Sequence, residues 1–532
     1  MKLRSSDLIS SLLTSSLTLP TTVWLVAMWV STGGAGCGGG GQTGSGETGA
    51  GGSTSSGSGG QAPGSGGSGA AGNAGSTGGA LGQGGATGAG GAGAGTGGRT
   101  GGGGTTGAGG TAGAAGTGGR TGSGGAGGTV GPAVAFPGAV GFGKVATGGR
   151  GTTVYHVTTL ADTGTGSFRD AVSASNRIIV FDVGGYISLS TPISAKSNLT
   201  IAGQTAPGDG VGIMGREVSF SGASNDIVRY MRFRQGDLDS DSTKSGINLL
   251  NTSTMIFDHV SIEFAQWNNI DSVGAMNITV QQSISADPIG QQFAAHTETG
   301  PYTWYGNLFA NAHNRCPLAK ANTQYVNNVI YNYQAGYTAG NTAGLFSHDM
   351  IHNYFISGPR TTSAGNYFYQ LDNQAVYIDG NFADTNNDGV LNGSMTSYPG
   401  TTTHLTAPWS ADSLAIPTTS AADTYAKVVA DAGASLHRDQ VDALVIADVM
   451  SLGKSGDLWT HQTATGLANS GYGTLNGGTA PVDTDRDGMP DAWETKYGLN
   501  PKDPSDANGD FDHTGYTNVE KYINGIADGL YP

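Results

Sequence analysis

The amino-acid sequence predicts an all-β fold, a right-handed parallel β-helix, preceded by a long glycine-rich segment. Short β-rich runs recur with starts about 20 to 30 residues apart, which is the length range of solenoid repeats. Each run is too short to be stable alone, but stacked runs would bury a continuous apolar interior and pair their backbones from turn to turn. Asparagine recurs at the turns, where it tolerates the left-handed backbone region and can hydrogen-bond neighbouring peptide groups.

The wide spacing of the runs separates the β-helix from a β-sandwich, which has turns every ~8 to 12 residues. The runs begin at Asn198, Asp226, Ser253, Asn277, Tyr302, Gln324, Met350 and Ala375. The turn asparagines are Asn198, Asn225, Asn251, Asn277, Asn307, Asn327, Asn353 and Asn381. After the last run, residues 421–433 predict a short helix that ends at Gly433 and docks on the solenoid.

Composition divides the chain into segments. Of the 532 residues 95 are Gly, and residues 37–131 are almost wholly Gly, Ala, Ser and Thr. So few large apolar side chains cannot offset the entropy of ordering the chain, so we expect a disordered linker there. The predicted segments are a signal peptide (1–36), the linker (37–131), a β-helix domain (132–475) and a C-terminal module (480–532).

Charge and cysteine content exclude several classes of protein. The formal net charge of −15 argues against binding to nucleic acid or anionic lipid. Two Cys cannot form a disulfide framework. We expect a monomer that binds no nucleic acid.

The N-terminus resembles a bacterial lipoprotein signal. Lys2 and Arg4 precede an apolar run at 23–30, and small residues precede Cys37. The run is far shorter than the roughly 20 residues that a spanning helix needs. The pattern predicts export, either with a lipid anchor on Cys37 or as simple secretion.

Four stretches of the β-helix region share their order and spacing with a known family. They are Thr147-Gly-Gly-Arg-Gly-Thr-Thr-Val-Tyr-His-Val, Gly166-Ser-Phe-Arg-Asp-Ala-Val, Phe257-Asp-His-Val-Ser-Ile and His313-Asn-Arg-Cys-Pro-Leu-Ala-Lys320. Together they resemble the pectate lyase family of parallel β-helix enzymes, over about residues 136–458. The resemblance implies eliminative cleavage of α-1,4-linked galacturonan, usually assisted by Ca²⁺, in a groove along one face of the β-helix.

The resemblance also assigns roles to basic residues. It implies that Arg315 is the catalytic arginine, which acts at C5 of a uronate either as base or as the cation that stabilises the carbanion. A guanidinium ordinarily stays protonated, so to act as a base Arg315 would need help from neighbouring cations. The sequence does not choose between the two roles. Lys320 stands where the family has a second arginine, and it would bind a uronate carboxylate as a point charge. His296 is the ionisable candidate for substrate binding where the family has a lysine.

The calcium ligands that the family has in the groove are only partly present in this sequence. By resemblance, Asp271 is a metal carboxylate and Asn268 can add an amide oxygen, as can Asn248. Ca²⁺ prefers six to eight oxygens, so much of the charge has to come from the substrate. Trp267 replaces a family glutamate and would contact substrate. This is similar to the pectin lyase branch, which acts on methylated substrate and dispenses with Ca²⁺.

The C-terminal module carries a separate metal signal. Residues 483–494 have the spacing of an EF-hand calcium loop. The predicted ligands are Asp483, Asp485, Asp487, the carbonyl of Met489, Asp491 and Glu494. A second loop contains Asp510 and Asp512, but Lys521 takes its twelfth position. The pair resembles dockerin-like modules, and we expect Ca²⁺ to stabilise the fold of the module.

The leading hypothesis is a secreted or surface-tethered polysaccharide lyase that cleaves pectate with calcium. A pectin lyase-like enzyme on methylated substrate and a non-catalytic, calcium-dependent polysaccharide-binding β-helix are the alternatives. A hydrolase needs two converging carboxylates, and no Asp-Asp pair with the expected flanking motifs is present. We expect Asp258, His259 and Cys316 to be structural.

Overall fold

The chain is described by a computed structural model over residues 133–238, 244–340 and 342–531. The predicted signal peptide, the lipidation candidate Cys37 and the predicted linker lie outside the described residues. Within those residues, no helix is long and apolar enough to cross a membrane.

Short strands dominate the structure, and helices are concentrated in its last third. The strands are β1 Thr153–Val157, β2 Arg177–Phe181, β3 Gly185–Ser188, β4 Ile193–Ser194, β5 Leu199–Ala202, β6 Val211–Met214, β7 Val218–Ser219, β8 Ser224–Arg229, β9 Arg232–Arg234, β10 Ile247–Asn248, β11 Ser253–Asp258, β12 Ser261–Glu263, β13 Asn268–Gln281, β14 Ile284–Ala286, β15 Phe293–Tyr305, β16 Leu308–Ala310, β17 Leu318–Val326, β18 Val329–Tyr331, β19 Tyr337–Thr338, β20 Ser347–Ile351, β21 Tyr354–Ile356, β22 Phe368–Tyr369, β23 Ala375–Asp379, β24 Phe382–Asp384, β25 Ser394–Met395 and β26 Thr403–His404. The α-helices are α1 Phe168–Ala171, α2 Ala421–Asp431, α3 Gln440–Met450, α4 Asp491–Tyr497 and α5 Asn518–Ala527. The 3₁₀ helices are Phe142–Val145, Gly203–Thr205, Ala411–Ala415, Ser435–His437, Gln462–Thr465, Asn469–Gly471 and Asp506–Asn508.

The strands stack into parallel sheets that wind around one apolar interior. The larger sheet runs in the order β1-β2-β5-β8-β11-β13-β15-β17-β20-β23-β26, and the smaller in the order β3-β6-β9-β12-β14-β16-β18-β21-β24-β25. Neighbouring strands are parallel throughout, except for the terminal pair of β24 and β25. The prediction of an all-β parallel β-helix is confirmed.

A third face extends the larger sheet. Strands β4, β7 and β10 pair in sequence and lead to the first half of β13. On the other side, β17 leads to β19 and β22. The long strands β13 and β15 therefore belong to both faces, and each has a register shift where it passes between them. This third face carries the candidate site.

Most of the predicted runs turn a corner and form two strands. The run from Asp226 is β8 followed by β9, and Tyr230 between them has a φ of 54°. The run from Gln324 ends β17 and then forms β18, with Asn327 at a φ of 53°. A single left-handed residue is enough to redirect the chain from one sheet to the next.

The turn asparagines fall into two groups. Those with left-handed backbone conformation, as predicted, are Asn198, Asn225, Asn251, Asn277 and Asn327. For the other three the left-handed residue is the preceding one, at Gly306, His352 and Gly380. At Asn307, Asn353 and Asn381 the predicted left-handed conformation is absent, but the predicted hydrogen bonds to neighbouring peptide groups are present, and these side chains are buried.

The inward group and Asn328 form an asparagine ladder. Asn307 Nδ2 donates to Asn328 Oδ1 at 3.0 Å, and Asn328 Nδ2 donates to Asn353 Oδ1 at 3.0 Å. Asn353 Nδ2 donates to Asn381 Oδ1 at 2.8 Å. Each of these amides also bonds backbone groups of the neighbouring turn, so the ladder satisfies buried polar groups at the corners.

Helices cover parts of the outer surface of the β-helix. Helix α2 is the predicted helix, and its Ala421 and Val428 pack against Leu308 and Tyr331 of the smaller sheet. The C-terminal segment covers the opening turns: Met489, Trp493 and Val519 belong to one buried cluster with Ile178 and Val180 of β2. The predicted module is therefore in apolar contact with the β-helix.

Candidate active site

Strand register brings the predicted groove residues together on the third face. In the parallel pairs of β10, β13 and β15, Asn248 lies beside Asp271, and Asp271 lies beside His296. In the next pair, Glu298 of β15 lies beside Lys320 of β17. Adjacent strands are about 4.8 Å apart, so side chains on neighbouring turns reach one another directly.

A chain of polar contacts, here called the groove cluster, connects these side chains. Asp271 Oδ1 is 3.0 Å from His296 Nδ1, and His296 Nε2 is 2.9 Å from Glu298 Oε1. Lys320 Nζ donates to the same Glu298 oxygen at 3.0 Å. At the other end, Asn268 Nδ2 donates to Asp271 Oδ1 at 3.3 Å.

Arg315 joins the groove cluster through Asn268. Its Nη1 donates to Asn268 Oδ1 at 3.0 Å. Arg315 precedes β17 at a φ of 65°, and its carbonyl accepts from the backbone N–H of Ala295 at 2.8 Å. The predicted catalytic arginine therefore lies on the same flank as Asp271.

The Arg315 guanidinium rests on aromatic rings. Its central carbon is 3.9 Å from the centre of the Phe293 ring and 5.9 Å from that of Trp267. Burial lowers the pKa of Arg315, while Asp271 and Glu298 act in the opposite direction. Among the described residues, no carboxylate forms a salt bridge with Arg315. The Arg315 guanidinium is thus a half-buried cation that contacts two aromatic rings and the amide oxygen of Asn268.

Two residues of the site were missed in the sequence. Phe293 supports the guanidinium, and Glu298 links His296 to Lys320. Glu298 could have been found, because residues two apart on a strand point to the same side, so the pair 296 and 298 shares one face. Phe293 has no comparable signal, since its contact with Arg315 joins two different turns.

The groove donors make a poor calcium site by themselves. Asp271 is the carboxylate there, and one of its oxygens already accepts from His296 and Asn268. The Asn268 oxygen is taken by Arg315, and the Asn248 oxygen accepts from Ser221 Oγ at 3.1 Å. Among the described residues, the acidic groups close enough to share an ion lie elsewhere, in the C-terminal segment. A groove ion needs oxygens from a ligand as well.

In the C-terminal segment, the structure gathers some predicted ligands and separates others. The ligand oxygens of Asp483, Asp485 and Asp487 lie within 4.8 Å of one another, and Glu494 is within that range of Asp487. Asp491 instead accepts from the N–H and the hydroxyl of Thr484, at 2.8 and 2.7 Å.

The remaining predicted ligands have other neighbours. The backbone N–H of Met489 donates to Asp487 Oδ1 at 2.9 Å. Asp510 and Asp512, predicted for the second loop, both contact the ammonium of Lys521. The first loop therefore presents a carboxylate cluster, whereas the second contains an internal ion pair.

Of the residues expected to be structural, Asp258 and Cys316 are buried and His259 is half-buried. Asp258 accepts from Arg229 Nε at 2.7 Å and from Gln281 Nε2 at 2.8 Å. Burial favours its neutral form, but His259 and Arg229 outweigh burial and lower the pKa of Asp258. Cys316 is 1% exposed, and burial raises the pKa of its thiol, so it is not poised as a nucleophile.

Comparison with known proteins decides the family. The chain is 40% identical over 412 residues to a probable pectate lyase C from Aspergillus fumigatus, which covers 75% of this chain and 95% of the relative. A probable pectate lyase C from Neosartorya fischeri is also 40% identical, over 411 residues, with the same coverage. The chain belongs to the pectate lyase family. No family model matches the sequence.

Solved structures of other pectate lyases resemble the fold of this family member at low identity. A pectate lyase from Bacillus sp. N165 in complex with trigalacturonate is 18% identical, with a TM-score of 0.41, over 56% of this chain and 98% of that one. A thermostable pectate lyase is 14% identical, with a TM-score of 0.44, over 56% of this chain and 97% of that one.

Proposed function

We propose that the chain is a polysaccharide lyase that cleaves α-1,4-galacturonan by β-elimination, with the groove cluster as its active site. The observation that carries the proposal is the placement of Arg315, His296 and Lys320 along one face of the β-helix, beside Asp271. A rigid row of basic side chains suits an extended polyanion. Membership in the pectate lyase family supports the same reaction.

The reaction requires positive charge at a defined place. A base takes the proton at C5, the electron pair of that C–H bond forms the double bond between C4 and C5, the bond between C4 and the glycosidic oxygen breaks, and the departing oxygen takes up a proton. Negative charge develops next to the uronate carboxylate during this step. Preorganised cations in the groove stabilise that charge where it grows.

Arg315 acts at C5 in this proposal. Its guanidinium has no carboxylate partner among the described residues, so it can meet the uronate without first breaking a salt bridge. The ring of Phe293 under it fixes the plane of the guanidinium. In both of its possible roles, removal of the C5 proton and stabilisation of the carbanion, the Arg315 guanidinium acts at C5.

Lys320 and His296, which contact the same Glu298 oxygen, bind uronate carboxylates beside the reacting sugar. Lys320 is partly exposed, and its partner Glu298 leaves two ammonium protons for a ligand. Calcium would be shared between Asp271 and the carboxylates of the substrate, and it would neutralise charge next to C5.

Formation of unsaturated product tests the proposal. The full chain is mixed with polygalacturonate, and ultraviolet absorbance of the new double bond is followed with calcium or with a chelator. Arg315→Ala should lower kcat by at least about a hundredfold. Arg360→Ala is the matched control, because Arg360 pairs with Asp457 on the exposed surface. Turnover by Arg315→Ala at the control rate would remove Arg315 from the mechanism.

The same assay separates the alternatives. Trp267 and Phe293 form an aromatic wall at Arg315, which favours a substrate with fewer charges. Faster elimination on highly methylated pectin, without calcium, would identify a pectin lyase-like enzyme. Binding of polygalacturonate without any unsaturated product would identify a non-catalytic binding protein. Export stays a prediction that rests on residues 1–37.

A further inference from the structure

The first C-terminal loop and a residue outside it form one carboxylate cluster. Asp483, Asp485 and Asp487 come from the loop and Glu494 from α4, while Asp506 lies in the 3₁₀ helix Asp506–Asn508. The ligand oxygens of Asp487, Glu494 and Asp506 lie within 4.8 Å of one another. Sequence spacing gives no sign of Asp506, because it belongs to neither predicted loop.

Several carboxylate oxygens of this cluster are buried without partners. Glu494 is 0% exposed, and neither of its carboxylate oxygens has a hydrogen-bond partner. Asp487 is 2% exposed, and its Oδ2 has no partner. Both oxygens of Asp485 and Oδ1 of Asp506 are likewise buried and unpaired. A buried carboxylate that is unpaired is costly unless a cation neutralises it.

The chemistry of the donors indicates which metal the cluster suits. An all-oxygen, carboxylate-rich donor set suits Ca²⁺ better than softer metals.

The second loop already contains a cation. Lys521 Nζ contacts Asp510, and it is 2.8 Å from Asp512 Oδ1. Glu520, one position away, accepts from Thr517 in a capping box and pairs with Arg150 Nε at 2.9 Å. It is therefore not free to serve as the missing twelfth ligand.

We propose that the C-terminal segment binds one calcium ion, held by Asp483, Asp485, Asp487, Glu494 and Asp506, and that the ammonium of Lys521 takes the place of the ion in the second loop. This site is separate from the groove and does not depend on the lyase reaction. It lies beside the cluster in which Met489 and Trp493 pack against β2, so the ion also fastens this segment to the β-helix.

Thermal unfolding of the full chain tests the ligand set. All proteins carry Asp271→Asn, so that a groove ion does not contribute. We expect saturating calcium to raise Tm by roughly 3 to 6 °C, and Asp506→Asn or Glu494→Gln to abolish most of the rise. Asp503→Asn is the matched control, because Asp503 is exposed and its side chain bonds only Ser505. A metal-free Tm no lower than that of the parent shows that each variant folds.

A calcium-dependent rise in Asp506→Asn as large as in Asp503→Asn would overturn the assignment of Asp506. No rise in the parent would overturn the site.

Stoichiometry tests the role of Lys521. In the same Asp271→Asn background, equilibrium dialysis with ⁴⁵Ca²⁺ should give one bound ion per chain. Lys521→Glu replaces the internal cation with the expected twelfth ligand and should raise the number to two. Lys521→Met removes the charge without adding a ligand and serves as the control. Two ions in the parent, or one in Lys521→Glu, would contradict the replacement of calcium by Lys521.

Discussion

Glu298, which the sequence analysis missed, changes how the basic side chains of the groove are expected to bind substrate. Its carboxylate accepts from Lys320 and lies 2.9 Å from His296 Nε2, and these are the two basic side chains assigned to uronate binding. Burial alone would raise the pKa of Glu298, but the hydrogen bonds from Lys320 and His296 outweigh burial and lower it. Glu298 therefore stays ionised and competes with the substrate for the same cations.

Substitution of Glu298 should expose this competition. Glu298→Gln keeps the side-chain shape but removes the negative charge, so Lys320 and His296 become free to bind uronates. We expect KM for polygalacturonate to fall by up to about fivefold with a smaller change in kcat, since a partly exposed pair contributes roughly 0.2 to 1 kcal/mol. Steady-state kinetics at low salt measure both constants.

The dependence of KM on ionic strength tests the proposed role of Glu298. The difference in KM between Glu298→Gln and the parent should shrink at high ionic strength, because screening weakens partly exposed charges. A higher KM for Glu298→Gln would show instead that Glu298 orients the two cations productively.

The sequence predicted Arg315, Asp271 and His296 because each lies in or near a local motif. It could not predict that Asn268 would connect them, or that Phe293 would support the guanidinium. Such contacts join different turns of the β-helix, and their partners are set by strand register rather than by spacing along the chain.

At the scale of secondary-structure elements, the corners of the β-helix show what the sequence could and could not predict. The periodicity located the turns, yet several runs that look continuous divide into two strands at one left-handed residue. Asparagine can serve at such a corner either by its backbone conformation or by its side-chain amide. Only the structure separates Asn327, which turns the chain, from Asn328, which enters the ladder.

Loss of a central rung of the asparagine ladder should destabilise the β-helix strongly. Asn328→Ala leaves the amide of Asn307 and the carbonyl of Trp304 buried without their present partners. Since each unsatisfied buried group costs ~1 to 3 kcal/mol, we expect the free energy of unfolding to fall by about 3 kcal/mol. Asn386→Ala is the control, because Asn386 is exposed and its side chain bonds only the nearby exposed residues Asp388 and Asn392. Urea denaturation compares them, and equal midpoints would refute the ladder's contribution.

At the scale of the whole molecule, buried charges tie later segments to the β-helix. Arg234 of β9 is 1% exposed, and its Nε bonds Glu263 at 2.9 Å while its Nη2 bonds Asp442 of α3 at 2.8 Å. Asp439, which caps α3, joins the same network. These partners are up to about two hundred residues apart in the sequence, so no local sequence pattern predicts that they pair.

A buried histidine gives the folded molecule a defined acid sensitivity. His348 is 0% exposed, its Nδ1 is 2.7 Å from Tyr337 Oη, and burial lowers its pKa to about 4. The ordinary pKa is 6.5, so between pH 6.5 and 4 the unfolded chain binds a proton that the folded chain does not. Stability from this group is therefore full above pH 6.5 and is lost as the pH falls towards 4.

The acid sensitivity should disappear when His348 is replaced by a residue that does not titrate. The loss amounts to about 3 kcal/mol at pH 4, and His348→Gln should not show it. Burial raises the pKa of Asp349 to about 6, which stabilises the fold as the pH falls. Because both proteins keep Asp349, the difference between their urea midpoints at pH 7.5 and 4.5 isolates His348. The parent should lose more stability than His348→Gln over this interval, and parallel losses would show that His348 titrates normally in the folded protein.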